Sequence, residues 1–287
     1  MTSSFPRPAL VCNSQSGSHD PAALAAIEAA CRARGTPLVA TFTLPDDDLP
    51  DAADLRRHAI DMLILWTGDG TINAAARRAD GWPGAILPLP GGTQNLLSKA
   101  LHGDRPAPGI LSDALSGKSR RRPVPVIRAA EVEAFVTIVA GPATEWAELR
   151  ETMRQDGLIE AGRAAPDALD AMRSAPGVRV AGQADSWPAI ILTPTAAGLR
   201  ADGIRAEGAA DMLRHGLAWL GGDFRDGPSE EIARGETIIL ESDAPIRLDY
   251  DGELAETPSP ARFAIGASMV DFIATAGADE DADSPAP

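Results

Sequence analysis

Between Leu63 and Leu101 two apolar runs each end in a glycine turn, and each turn opens a helical pattern. The first turn is Thr67-Gly68-Asp69-Gly70-Thr71-Ile72-Asn73. The second is Pro90-Gly91-Gly92-Thr93-Gln94-Asn95. Glycine at such a corner lets the backbone come close to a ligand, and a helix start offers unpaired N–H groups to an anion. One such turn is a weak signal. Two in tandem, both with Thr and Asn and one with an acid, are a strong one.

The chain around them follows the same plan. Ala9–Cys12 reads as a first strand, followed by the polar loop Asn13-Ser14-Gln15-Ser16-Gly17-Ser18-His19. Asp20-Pro21 is an N-cap with proline at the first helical position. Leu24, Ile27 and Cys31 recur at helical spacing, and Gly35 supplies the stop. Leu38–Thr43 reads as strand two and Asp51–Ala59 as a helix. Met62–Trp66 is strand three, Ile72–Ala79 a helix, Ala85–Leu89 strand four, and Gln94–Leu101 a helix ending near Gly103. Strands alternating with helices over short loops predict an α/β domain with an open, mostly parallel sheet at residues 1–122. Its ligand is expected beyond the C-terminal ends of the strands, where the loops after strands one, three and four fall.

The pattern changes after Gly117. Lys118, Arg120, Arg121 and Arg122, with prolines beside them, read as a solvated linker; a phosphate or membrane contact is the sharper alternative. Residues 123–277 carry strand runs at Val124–Arg128, Ala134–Ala140, Val178–Val180, Ala189–Thr193, Ile238–Leu240, Ile246–Tyr250 and Arg262–Ile265. Helical patterns fall at Trp146–Arg154, Pro166–Arg173 and Ala209–Leu220. This predicts a β-rich C-terminal domain, mostly antiparallel, with inserted helices. Residues 278–287 are acidic, small and proline-containing, and are expected as a disordered tail.

A net charge of −15 over 287 residues argues against a nucleic-acid backbone binder and against tight residence on an anionic membrane. No apolar run approaches the roughly 20 residues of a membrane helix, and the N-terminus lacks a basic-then-apolar leader pattern. A cytoplasmic protein is expected. Cys12 and Cys31 fit that setting as small core residues rather than a disulfide or metal pair. His19, His58, His102 and His215 show no ligand spacing.

Each motif has a plain reading beside the chemical one. Asp69, flanked by glycines, can hold magnesium or accept a proton, or it can cap a helix. Thr93 and Asn95 can donate to a ligand or simply close a tight turn. Asn13–Gly17 is a Ser/Gly/Asn-rich loop. Asp251-Gly252-Glu253 sets two acids on either side of a glycine, and is equally a hairpin turn between strands.

Taken together, these segments resemble the catalytic domain of the diacylglycerol kinase family, which includes bacterial lipid kinases and the sphingosine and ceramide kinases. The family pattern is an Asn-Pro-x-Ser-Gly loop, a Gly-Gly-Asp-Gly-Thr turn, a Pro-x-Gly-Thr-x-Asn turn and a late Asp-Gly-Glu. Here Ser14 stands in place of the family's Pro, and Thr67 in place of the first Gly. The resemblance is dense over 9–103 and thin afterwards, and 141–230 carries no placed motif.

The resemblance implies a two-domain kinase of NAD kinase/diacylglycerol kinase-like fold. It would use ATP and Mg2+ and act on a hydroxyl of a lipid-like substrate, with transient membrane contact and no nucleic acid. A homodimer is compatible with it. By position, Asn13, Ser16 and Gly17 would touch the nucleotide, and Thr41 or Thr43 would reach it. Gly68, Gly70, Thr71, Asn73, Gly92, Thr93 and Asn95 would cradle phosphates. Asp69 would sit on magnesium or serve as base. Asp251 and Glu253 would come from the other domain, one of them taking the proton of the acceptor hydroxyl; which of the three acids is the base stays open. The rival readings are an NAD kinase-type nucleotide kinase and a degenerate member that only binds nucleotide or lipid.

Overall fold

The computed structural model describes residues 5–16, 20–92, 94–130, 132–144, 174–195, 197–204 and 229–275. The chain divides into two compact units, Met1–Val124 with Ala267–Pro287, and Pro125–Gly266.

The first unit begins with β1 (Pro8–Asn13), α1 (Pro21–Ala33), β2 (Ala40–Leu44), α2 (Ala52–Arg57) and β3 (Met62–Thr67). It continues with α3 (Asp69–Arg78), β4 (Ala85–Pro90), α4 (Leu96–His102), α5 (Ala107–Leu115) and β5 (Ser119–Arg122). The starts follow local chemistry. The Asp20 side chain accepts from the Ala22 N–H with Pro21 in the first turn of α1, and Asp51 and Asp54 form a capping box on α2. β1 pairs in parallel with β2 and β3, and β3 with β4. With the last strand, β17 (Asp271–Thr275), the sheet order is β2-β1-β3-β4-β17-β5. The chain leaves β1 to one side for β2 and returns on the other for β3. A topological switch therefore lies between the C-terminal ends of β1 and β3, the ordinary ligand position of such sheets.

Leu10, Cys12, Ile64, Trp66 and Leu87 pack with Ile27 and Cys31 of α1 and Ile110 and Leu111 of α5. Their neighbours Ala9, Val11, Leu63, Leu65 and Ile86 point to the opposite face and are buried too. Burial on both faces is why these strands read as unbroken apolar runs.

Two expectations about this unit are corrected. The basic run expected as a linker is the edge strand β5, antiparallel to β17, with Arg121 Nε donating to Asp271 at 2.7 Å. The segment 271–275, read as part of the C-terminal domain, is β17: it lies between β4 and β5, parallel to β4, with Phe272 and Ile273 fully buried. Its strand is fastened to α4. The Thr275 N–H donates to His102 Nδ1 at 3.3 Å, and the Thr275 hydroxyl lies 3.2 Å from the same nitrogen. Arg105 donates to that hydroxyl at 3.2 Å and to Asp113 at 2.6 Å.

The second unit contains β6 (Pro125–Ala129), β7 (Val132–Ala134), β8 (Ile138–Ala140), β9 (Arg179–Val180), β10 (Ile190–Thr195) and β11 (Gly198–Ile204). It continues with β12 (Ser229–Gly235), β13 (Thr237–Glu241), β14 (Ile246–Tyr250), β15 (Glu253–Thr257) and β16 (Ala261–Ala267). They form one sheet of order β12-β11-β10-β8-β14-β15 and another of order β7-β6-β16-β13-β9. Ladders such as β10–β11, β13–β16 and β14–β15 are antiparallel, as expected. One core draws Ile127, Ile238 and Phe263 from the second sheet and Ile138, Ile190, Leu199 and Leu248 from the first, so the sheets form a sandwich. The single strand expected at Ala134–Ala140 is two short ones, β7 and β8, with a break at Phe135–Thr137. The helical patterns at Trp146–Arg154, Pro166–Arg173 and Ala209–Leu220, and the tail 278–287, lie outside the described residues.

Burial pushes His102 down to about 4 from its ordinary 6.5, with the charge of Arg105 acting in the same direction. The unfolded chain therefore binds a proton that the folded chain does not, and stability falls as pH drops from 6.5 toward 4. Denaturant titrations should lose about 2 kcal/mol between about pH 7 and about pH 5 from this group, and His102→Gln should remove that part of the slope.

Candidate functional site

The loops after β1, β2, β3 and β4 are joined at the carboxyl edge of the first sheet. Asn13 folds the first loop on itself: Gln15 N–H donates to its Oδ1 at 2.9 Å, and Ser16 N–H to its carbonyl at 3.1 Å. Both the N–H and the Oγ of Ser14 donate to the Leu44 carbonyl at 3.0 Å, which fixes this loop to the end of β2. Ser16 Oγ donates to the Gly91 carbonyl at 2.7 Å, and Trp66 Nε1 to the Pro90 carbonyl at 3.1 Å.

The two glycine turns touch backbone to backbone. A Cβ on Gly91 would lie 2.6 Å from the Thr67 nitrogen, and one on Gly92 would lie 2.6 Å from the Gly68 Cα. These two glycines are therefore required by the neighbouring turn, where close approach of a ligand was the expected reason. Asn95 has a similar internal task. It takes the left-handed conformation at φ 54°, ψ 39°, which asparagine tolerates. Its Oδ1 accepts from the Gly92 N–H at 2.7 Å and its Nδ2 donates to the Gly92 carbonyl at 2.9 Å. That brace ties Gly92 to Asn95; Thr93 and Gly17 lie outside the described residues.

Asp69 opens α3, with Gly68 at the N-cap. Its carboxylate does not cap its own helix. Oδ2 accepts from the Leu96 N–H and Oδ1 from the Leu97 N–H, both at 3.0 Å, so it caps α4. Burial raises its pKa above the ordinary carboxylate value, against the lowering effect of those hydrogen bonds. In α3 the Ile72 N–H is the first to bond back, to the Gly68 carbonyl at 3.2 Å. The N–H groups of Asp69, Gly70 and Thr71 precede it and have no acceptor within the helix. Thr71 is half-buried at this helix start, whereas Asn73 sits inside α3 at 1% exposure. On β2, Thr43 closes a turn: its N–H donates to Asp47 Oδ2 at 2.7 Å and its carbonyl accepts from the Asp47 N–H at 2.9 Å. Thr41 is the exposed second residue of the same strand.

In the second unit, Asp251 and Gly252 are the two-residue turn of the β14–β15 hairpin, with φ of 52° and 93° and Tyr250 opposite Glu253. Both central residues have positive φ, the arrangement that matches the twist of the flanking strands. The plain hairpin reading of this motif is the one seen. The Asp251 carboxylate is buried at 4% exposure and accepts from the N–H groups of Phe135 at 2.5 Å and of Val136 and Thr137 at 3.0 Å. These three donors are the residues at which the expected single strand breaks. Asp251 thus holds the backbone at 135–137 through both of its carboxylate oxygens. Asp249 assists, its Oδ1 accepting from the Gly252 N–H at 2.8 Å. Glu253 begins β15 and is half-buried. Sequence reasoning missed Asp249, Trp66 and Leu96–Leu97 as partners of the motifs, because their roles arise only from tertiary contact.

Among the described residues, no group of three or more His, Cys, Asp or Glu is placed to hold a metal ion. Nor is any described helix long and apolar enough to cross a membrane.

Residues 7–129 match the family model of the diacylglycerol kinase catalytic domain. The resemblance carried by the motifs is therefore shown over this segment. A crystal structure of a diacylglycerol kinase from Bacillus anthracis str. Sterne is similar with 14% identity and a TM-score of 0.64, covering 96% of this chain and 99% of that one. Two further structures from that organism, proposed there to be diacylglycerol kinases, have 17% identity with a TM-score of 0.64 and 15% with 0.62. Their matches cover 96% and 95% of this chain, and 99% and 98% of theirs. At these identities the likeness concerns the fold. No curated protein matches the chain.

Two substitutions check this geometry in denaturant titrations. Asp251→Ala should cost about 2–4 kcal/mol, because it strands three buried N–H groups. Gly92→Ala should cost about 1–3 kcal/mol, because the new methyl meets backbone that can move only with the first turn.

Proposed function

We propose that the protein is an ATP- and magnesium-dependent kinase that phosphorylates a hydroxyl of a lipid-like acceptor. The observation that carries this reading is the start of α3. The N–H groups of Gly70 and Thr71, which have no acceptor within the helix, open at the switch point of a sheet whose segment 7–129 matches the diacylglycerol kinase catalytic domain. Phosphate oxygens would accept from these N–H groups and from the Thr71 hydroxyl. Gly68 keeps the corner bare. Ser16 stands on a loop that flanks it, and Gly17 and Thr93 are further phosphate contacts in this reading. Asn13, Gly92 and Asn95 shape those loops from within, and Thr43 closes the turn after β2.

Such a site works by positioning and charge stabilisation, since little covalent chemistry falls to the protein in phosphoryl transfer. The acceptor oxygen bonds to the γ-phosphorus, the bond to the ADP oxygen breaks, and the hydroxyl proton leaves to a base. Magnesium, when bound, would neutralise charge on the β- and γ-phosphates. Among the described residues no group of three or more acids, histidines or cysteines forms a cage for it, which suits an ion that arrives on the nucleotide and keeps most of its ligands from phosphate and water.

Incubation with γ-labelled ATP, magnesium and a total lipid extract, with NAD in a parallel reaction, tests the proposal. A labelled lipid is expected. Label on NAD, or ATP binding by calorimetry without transfer to either, would overturn it.

A further inference from the structure

We infer that Asp69 is a positioning residue: its carboxylate fastens the first glycine turn to the start of α4 and so places the second turn, instead of holding magnesium or taking a proton. The part of this inference that concerns nucleotide rests on the kinase reading above; the fastening itself does not.

Three observations support it independently. First, both carboxylate oxygens are engaged, Oδ2 by Leu96 N–H and Oδ1 by Leu97 N–H, each at 3.0 Å. Second, among the described residues α4 has no other side-chain cap. Its N-cap residue Asn95 makes no side-chain cap bond, because its amide is bonded to both backbone groups of Gly92. Without Asp69 the first two N–H groups of α4 would lose their acceptor. An acid also suits the positive end of a helix, where its charge is favoured. Third, among the described residues Asp69 belongs to no group of three or more His, Cys, Asp or Glu placed to hold a metal ion.

The segment that Asp69 holds is the one that matters for the site. Leu96 follows directly on the Asn95 brace, and Gly92 within that brace lies against Gly68. Asp69 therefore closes a ring: first turn, α4 start, Asn95, Gly92, and back to the first turn. Two acceptors are needed at once, which explains a carboxylate. Asparagine at this position could offer one oxygen, but its amide would face the second N–H donor to donor.

The test compares wild type with Asp69→Asn and Asp69→Ser. Amide hydrogen exchange is read at Leu96 and Leu97, and ATP binding by calorimetry with magnesium and with EDTA. The inference expects exchange at Leu96–Leu97 to quicken by about tenfold or more while β1 and α1 keep their protection. It expects ATP affinity to fall by the same factor with and without magnesium, and the pH profile of any turnover to keep its shape. Unfolding of both variants would also support fastening, because a metal ligand or base can be lost without losing the fold. Unchanged exchange at Leu96 and Leu97 would overturn the inference, as would an affinity loss confined to the magnesium arm or the disappearance of one limb of the pH profile. If wild type binds no ATP, the kinase reading fails, and the exchange arm still decides the role of Asp69.

Discussion

A methyl group on Gly92 would come within 2.6 Å of the Gly68 Cα, and one on Gly91 equally close to the Thr67 nitrogen. This contact between two bare stretches of backbone is the constraint on which the candidate site depends. It can form only if β3 and β4 are adjacent, parallel and in register to their last residues, Thr67 opposite Pro90. It leaves no room for a side chain on the second turn, and it brings the start of α4 within reach of Asp69. Ser16 adds the loop after β1 through the Gly91 carbonyl. Three loops far apart in sequence thus share one rigid frame, whose polar groups are largely satisfied from within. The N–H groups of Gly70 and Thr71 at the start of α3 have no acceptor within their own helix.

The second unit uses a related device in a different setting. There the carboxylate of Asp251, on a left-handed turn residue, gathers three consecutive N–H groups from Phe135–Thr137. In both units an acid that reads in sequence as chemistry is an organiser of backbone. A buried carboxylate that accepts several N–H bonds is well satisfied and locally specific, and it can define where a strand stops or a helix starts. Asp69 and Asp251 differ in what they organise. Asp69 joins two turns at the ligand edge, and Asp251 shapes the interior of a hairpin and the strand beside it.

The α/β half was legible because it is built from local signals. Asp20 with Pro21, and Asp51 with its partner three residues on, announce their helices, and the fully buried strands appear as apolar runs. The glycine turns were also legible as strand-to-helix corners, and their family resemblance is shown over 7–129. What could not be read was the direction of each polar group. Nothing in Gly68-Asp69-Gly70-Thr71 says that the acid turns to a helix 27 residues later, nor does Asp251 reveal its partners at 135–137. Short strands such as β15 were missed because one exposed edge strand, patterned half-buried and exposed, carries little apolar signal. The same holds for β5, whose three arginines look like a linker until Arg121 is seen to bond to Asp271.

The place of β17 has a consequence for how the molecule comes into being. The strand that separates β4 from β5 is the last one described in the chain, and it pairs Asp271 with Ala85 and Phe272 with Ile86. During synthesis the first sheet therefore waits, with a gap beside β4, while the whole second unit is made. Such a long-range pairing is slow to close and leaves a strand edge and apolar surface open in the meantime. The second unit is an insertion in the first, and it can condense early on its own antiparallel ladders. A fragment ending near residue 129 would contain every glycine turn, yet it would lack Thr275, the partner of His102 at the end of α4. The sheet that carries the glycine turns is thus begun by β1–β4 and completed only by β17, on the far side of the second unit.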